Sequence, residues 1–191
     1  MMAEPGPETE GLNAQQQETL LRLARETIAQ YARDRKVPEL PTGDPALQAS
    51  RAVFVTLHKR GMLRGCIGSL EARLPLAEAV RSSAISAAFG DPRFPPVTAG
   101  EVNDLEIEIS VLSPLRRVGS ADEIAVGTHG VVVSKGMRSG VFLPQVATEQ
   151  GWDRETMLNC LCSHKAGLPE DAWRRGCDLS VFTTQVFAER R

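Results

Sequence analysis

An α+β fold of two unequal lobes, built on antiparallel sheets with flanking helices, follows from three observations. Two pairs of apolar, β-rich runs are separated by short turn signals, which is the mark of hairpins. The helical patterns flank these pairs rather than alternating regularly with single strands. Finally, 191 residues with 42% hydrophobic and 24% charged side chains can bury a core.

Residues 1–11, acidic and rich in proline and glycine, read as a disordered lead-in. Asn13 is an N-cap with Gln16 placed for a capping box. Leu20, Leu21, Ala24, Ile28 and Tyr31 then recur at helical spacing, and Val37-Pro38 stops the helix. Residues 38–50 read as a loop. Ala52 to Leu57 is a strand buried on both faces, Lys59-Arg60-Gly61 a turn, and Met62 to Ile67 the returning strand. Pro75 opens a helix whose stripe runs Leu76, Ala79, Val80, Ala84 and Ala87, with Gly90 at its end.

Asp91 to Pro96 reads as a stiff extended segment. Leu105, Ile107, Ile109 and Val111 alternate with Glu106, Glu108 and Ser110, giving a strand with one wet face. Val131 to Val133 and Val141 to Leu143 form the second hairpin. Asp153 caps a single helix, Arg154 to Lys165, that stops at Gly167-Leu168-Pro169. Leu179 to Phe187 is the closing strand. The larger lobe is expected over 12–119 and 170–191, and the smaller hairpin-and-helix lobe over 120–169.

Composition narrows the function. Twenty-two basic residues against 24 acidic ones leave a net charge of −2, with no field to draw in a polyanion. Nucleic-acid binding is therefore not favoured, although Arg51, His58, Lys59, Arg60 and Arg64 form a local basic cluster. No apolar run reaches the ~20 residues of a membrane span, and no secretory leader is recognisable. Four cysteines without a CxxC pair suggest reduced thiols in a cytoplasmic protein.

Cys66 is the first candidate for chemistry. It lies between Gly65 and Gly68, and strand period puts Arg64 on its face, where a guanidinium would favour the reactive thiolate. The plain alternative is a small core residue. Asp91 and Arg93 sit on a proline-stiffened loop, where an arginine could clamp a carboxylate or phosphate, or simply close an internal salt bridge. His129 could serve as a general base, or as a turn residue bonded to backbone. Gln145 and Lys165 are further ligand-binding candidates, and Lys165 also suits a helix C-terminus. Cys160, Cys162 and His164 do not make a zinc site, because Cys160 and His164 share a helix face and Cys162 does not. Glu101, Asp104, Glu106 and Glu108 read as the solvated edge and face of a strand. No metal ligand set is assigned, and no cofactor is identified.

The motifs Phe54-Val55-Thr56-Leu57, Leu63-Arg64-Gly65-Cys66-Ile67-Gly68-Ser69 and Asp91-Pro92-Arg93-Phe94-Pro95-Pro96-Val97 open a longer series. Glu108 to Leu112, Gly127-Thr128-His129-Gly130 and Leu143-Pro144-Gln145-Val146-Ala147 continue it. Lys165 to Pro169 with Trp173, and Phe187-Ala188-Glu189, complete it. Together they resemble the AMMECR1 family, whose prokaryotic members are often called AmmeMemoRadiSam system protein A. The resemblance covers 12–189 as one domain. It implies an α+β protein of two unequal lobes, the smaller similar to folds of nucleic-acid-, nucleotide- and peptide-binding proteins. It also implies association with a Memo-like protein and a radical SAM protein. The radical SAM cluster-binding cysteine triplet is absent from this chain, so the expectation is an accessory component with a pocket around Cys66. The alternative is a nucleotide-, RNA- or peptide-binding module, or a scaffold without catalysis.

Overall fold

The computed structural model describes residues 11–189. The expected lead-in therefore lies outside the described residues, apart from Gly11. The chain divides into two compact units. The first runs through Leu112 and resumes at Gln185, and the second is Ser113–Thr184.

In the first unit, α1 (Ala14–Asp34) starts at Asn13, whose side chain accepts from the Gln16 N–H while Gln16 reaches back in a capping box. It ends at Arg35 in a left-handed conformation, a turn before Pro38. The loop that follows holds one short helix, α2 (Pro45–Gln48), capped by Asp44. Strands β1 (Val53–Lys59) and β2 (Met62–Ser69) form the first hairpin. Arg60 and Gly61 both have positive φ, 53° and 75°, which is the geometry of a tight hairpin turn. Helix α3 (Leu76–Phe89) and β3 (Leu105–Leu112) follow, and β8 (Thr184–Ala188) returns from the far end of the chain. The sheet order is β2-β1-β3-β8.

Residue alternation assigns the faces. Val53, Val55 and Leu57 of β1, with Leu105, Ile107 and Ile109 of β3, are buried with α1 and α3. Phe54, Thr56, His58, Glu106 and Glu108 occupy the other face and are half-buried. The expectation that β1 is buried on both faces is thus corrected, because its odd positions alone fill the core. The residue after β8, Glu189, is held by Arg25, which ion-pairs with it and donates to the carbonyls of Val102 and Leu105. The half-buried guanidinium thereby satisfies an acid and two main-chain acceptors at once.

The second unit holds a four-stranded sheet of order β4-β7-β5-β6. Its strands are β4 (Arg116–Val118), β5 (Gly130–Lys135), β6 (Arg138–Phe142) and β7 (Asp178–Phe182). Helices α4 (Pro144–Glu149) and α5 (Arg154–Cys160) help bury Val131, Val133, Leu158, Leu161 and Val181. The expected closing strand is in fact two. Its first part, β7, pairs with β4 and β5, and its second, β8, belongs to the first unit's sheet. For that reason 113–119 and 170–184 fall in the second unit rather than with the larger lobe. The expected helix from Arg154 to Lys165 also divides, because Leu161–Lys165 is a π-helical turn. Such wide turns add a residue and change which side chains share a face.

Candidate functional site

The site grows from the free edge of β2, which is a terminal strand of its sheet. Such an edge leaves alternate N–H and C=O groups unpaired. At Cys66 both are taken by side chains. The Cys66 N–H donates to Asp91 Oδ2 at 2.9 Å, and Arg93 Nη2 donates to the Cys66 carbonyl at 3.3 Å. Arg93 in turn grips Asp91 through Nε (2.9 Å) and Nη2 (2.7 Å). The pair therefore offers β2 one acceptor and one donor, as a neighbouring strand would.

Asp91 is held in place by its own loop. Its Oδ1 accepts from the Arg93 N–H at 3.1 Å, and its carbonyl accepts from the Phe94 N–H. The segment expected to be extended thus begins with a turn, because the aspartate bonds its own backbone two residues on. The Asp91 side chain is 1% exposed. Hydrogen bonds from Arg93, and then from the Cys66 and Arg93 backbone, hold its carboxyl far below the usual carboxylate range against the opposing effect of burial.

Gly65 and Gly68 are positions of close packing. A Cβ on Gly65 would sit 2.1 Å from the Ala87 carbonyl oxygen, so Gly65 lets α3 lie against β2. A Cβ on Gly68 would meet the Val53 carbonyl oxygen at 2.2 Å and the Phe54 ring at 2.6 Å. The small-residue spacing in this motif serves packing.

Arg64 is not the partner of Cys66. A register shift between Leu57 and His58 leaves Arg64 as an extra residue opposite β1. Its guanidinium binds Glu101, which also takes Lys59 at 2.9 Å. Glu101 is therefore no solvated strand edge. It caps its own short 3₁₀ turn at Thr98 and gathers two cations. Hydrogen bonds from Arg64 first, and Lys59 next, draw its pKa from 4.5 down to about 2. Lys59 and Arg64 are thus held by Glu101, although Arg64 Nη1 is left buried without a partner, and only Arg51, His58 and Arg60 of the basic cluster stay outside this pairing.

The Cys66 side chain emerges on the half-buried face of the sheet. Its Sγ lies 3.3 Å from Thr56 Oγ1, directly across the hairpin. Because the Cys66 N–H and C=O point outward, the two residues form a pair without mutual backbone bonds, the kind whose side chains stand closest. Thr56 is a site residue that sequence reading missed, although strand pairing across the Lys59-Arg60-Gly61 turn could have found it.

The second unit contains the other three candidates. His129 Nδ1 accepts from the Ala125 N–H at 3.1 Å, so its neutral ring carries the proton on Nε2 and closes a local turn. Gln145 is exposed in the first turn of α4. Lys165 ends the π-helical turn with its ammonium 5.6 Å from the centre of the Phe142 ring. These residues make no hydrogen-bonded cluster like that of the first unit. Cys162 is fully buried and burial pushes its thiol up, whereas Cys160 and Cys177 are half-buried. Among the described residues no three His, Cys, Asp or Glu side chains are grouped to hold a metal, and no helix is long and apolar enough to cross a membrane.

The model of the AMMECR1 family matches residues 21–187. Protein MK0488 of Methanopyrus kandleri is 44% identical over 190 residues, covering 94% of this chain and 91% of its own length. A protein of Methanothermobacter thermautotrophicus is 46% identical, covering 90% of this chain and 93% of its own. Among solved structures, the uncharacterized protein PH0010 from Pyrococcus horikoshii superposes with a TM-score of 0.80 at 41% identity, covering 91% of each chain.

Proposed function

Because the chain belongs to the AMMECR1 family, we propose that it is the accessory component of a system whose other members are a Memo-like protein and a radical SAM protein, and that it presents a ligand site centred on Cys66. The observation that supports the site is the two-sided grip of Asp91 and Arg93 on the Cys66 backbone. A thiol-bearing residue fixed at both backbone groups, on a strand rather than a loop, holds its sulfur in one place. Asp91 and Arg93 act as positioning residues. The Thr56 hydroxyl sets the orientation of the sulfur. The family resemblance supports the partners.

The test is reconstitution of the three proteins with wild-type chain and with Cys66→Ser, scored by product formation. Loss of turnover in Cys66→Ser, with the complex still co-purifying, supports a chemical role at Cys66. Full turnover in that variant removes the role and leaves a scaffold. The internal use of charge weighs against the nucleotide- or RNA-binding alternative, because Lys59 and Arg64 are bound to Glu101. Affinity for RNA that falls steeply with salt would argue for that module instead.

A further inference from the structure

The register of the first sheet aligns more than Cys66. Thr56 stands opposite Cys66 on one side and opposite Glu108 on the other. Cys66, Thr56 and Glu108 therefore form a row across β2, β1 and β3, all on the face turned away from α1 and α3. Cross-strand neighbours of this kind place their Cβ atoms about 5 Å apart. The next position on this face of β3 is Ser110, opposite Phe54. Ser110 is 91% buried, yet its hydroxyl has no hydrogen-bond partner among the described residues. The Ser110 oxygen itself keeps contact with solvent, so a bound polar group would take the place of water there. The Phe54 ring lies against Gly68 of β2.

Charge on this face is one-sided. Glu106 and Glu108 enter no ion pair among the described residues, and His58 stands opposite Glu106. Three neighbouring cations have acidic partners, although Arg64 Nη1 is buried without a hydrogen-bond partner. Arg93 is bound to Asp91, and Lys59 and Arg64 to Glu101.

We infer that Glu108, Thr56 and Ser110 complete the Cys66 site, and that its ligand carries a cationic, hydrogen-bond-donating group that meets Glu108 while another part of the molecule lies over the thiol. This rests on the proposed reading of Cys66 as the centre of a ligand site and adds the chemical class of what binds there. Thr56 is a positioning residue, whose hydroxyl donates to the sulfur. Glu108 selects by charge, and Ser110 supplies a hydrogen bond.

Thiol reagents of different charge test this on the intact chain. Methanethiosulfonates transfer an RS group to a thiol: the sulfur attacks the reagent's S–S bond, a protein disulfide forms, methanesulfinate leaves with the bonding pair, and the thiol proton passes to water. The probes are the trimethylammonium-ethyl, sulfonato-ethyl and neutral methyl reagents, with modification of Cys66 followed by mass spectrometry. A carboxylate near the reacting atom at intermediate dielectric favours the cation over the anion by about tenfold. Glu108→Gln is expected to bring that ratio toward one while leaving the neutral reagent's rate unchanged. Thr56→Val is expected to change the neutral rate, and Thr56→Ser to restore it. If the neutral reagent fails to reach Cys66 in the folded wild type, the reading of Cys66 as a ligand site fails. If it reacts but the cation has no advantage, or the anion is faster, the assignment of Glu108 is overturned and Arg93 becomes the charge that the ligand meets.

Discussion

The two units treat their polar motif residues in opposite ways. In the first, Asp91, Arg64 and Glu101 are drawn inward, and together with the exposed Arg93 they bond to one another or to main chain far away in sequence. In the second, His129 closes a turn four residues long, while Gln145 and Lys165 stand exposed. Motifs of similar look in the sequence thus differ in what they do. A polar residue whose partner is distant holds a tertiary arrangement, whereas one whose partner is local can be replaced by other turn chemistry. The first unit is accordingly where substitutions should be felt, both in stability and in whatever the thiol does.

The largest effect is expected from Gly65→Ala. Its Cβ would lie 2.1 Å from main-chain oxygen, and neither α3 nor β2 can shift without unpacking Ala87 and Ala88. A loss of roughly 4 kcal/mol or more is expected, seen as failure to give a cooperative thermal transition. Asp91→Ala removes the acceptor for the Cys66 N–H and the partner of Arg93 together, and about 2–4 kcal/mol in denaturant unfolding is expected.

The pH dependence sharpens the contrast further. Glu101 has its folded pKa depressed from 4.5 to about 2, so its contribution is fully present above 4.5 and is lost as pH falls through about 2. That contribution has a ceiling of about 3 kcal/mol. Glu101→Gln should therefore be less stable at neutral pH and show a flatter stability curve between those two pH values, measured by urea unfolding in a pH series. At the small end, His129→Ala and Gln145→Ala are each expected to cost under about 1 kcal/mol. A loss at His129 as large as that at Asp91 would erase the distinction between the units.

Local signals in the chain were readable, and long-range ones were not. The Asn13–Gln16 capping box, the Arg60-Gly61 turn and the alternation of Leu105 to Val111 all depend on neighbours within a few residues. So α1, the first hairpin and β3 follow from the sequence. The break at Thr183 does not, because β7 and β8 read as one apolar run and only their pairing partners divide them. The site was half legible. Cys66, Asp91 and Arg93 stood out by composition, but Arg64 was paired with Cys66 on strand period alone, and a bulge redirected it to Glu101. Glu101 itself looked like any acid before a strand. Its one local sign was its place three residues after Thr98, the spacing of a capping box.

The central claim is that Cys66 is held as an accessible thiol at a fixed point of the sheet, and competitive alkylation tests it most directly. Native chain is treated with limiting iodoacetamide, and the four cysteines are then mapped by mass spectrometry. The structure predicts that Cys66 is modified in the folded state while Cys162, with no exposed surface, stays protected until the chain unfolds. If Cys66 is protected alongside Cys162 and both react only on unfolding, Cys66 is a packing residue, and the Asp91–Arg93 grip serves the strand edge alone.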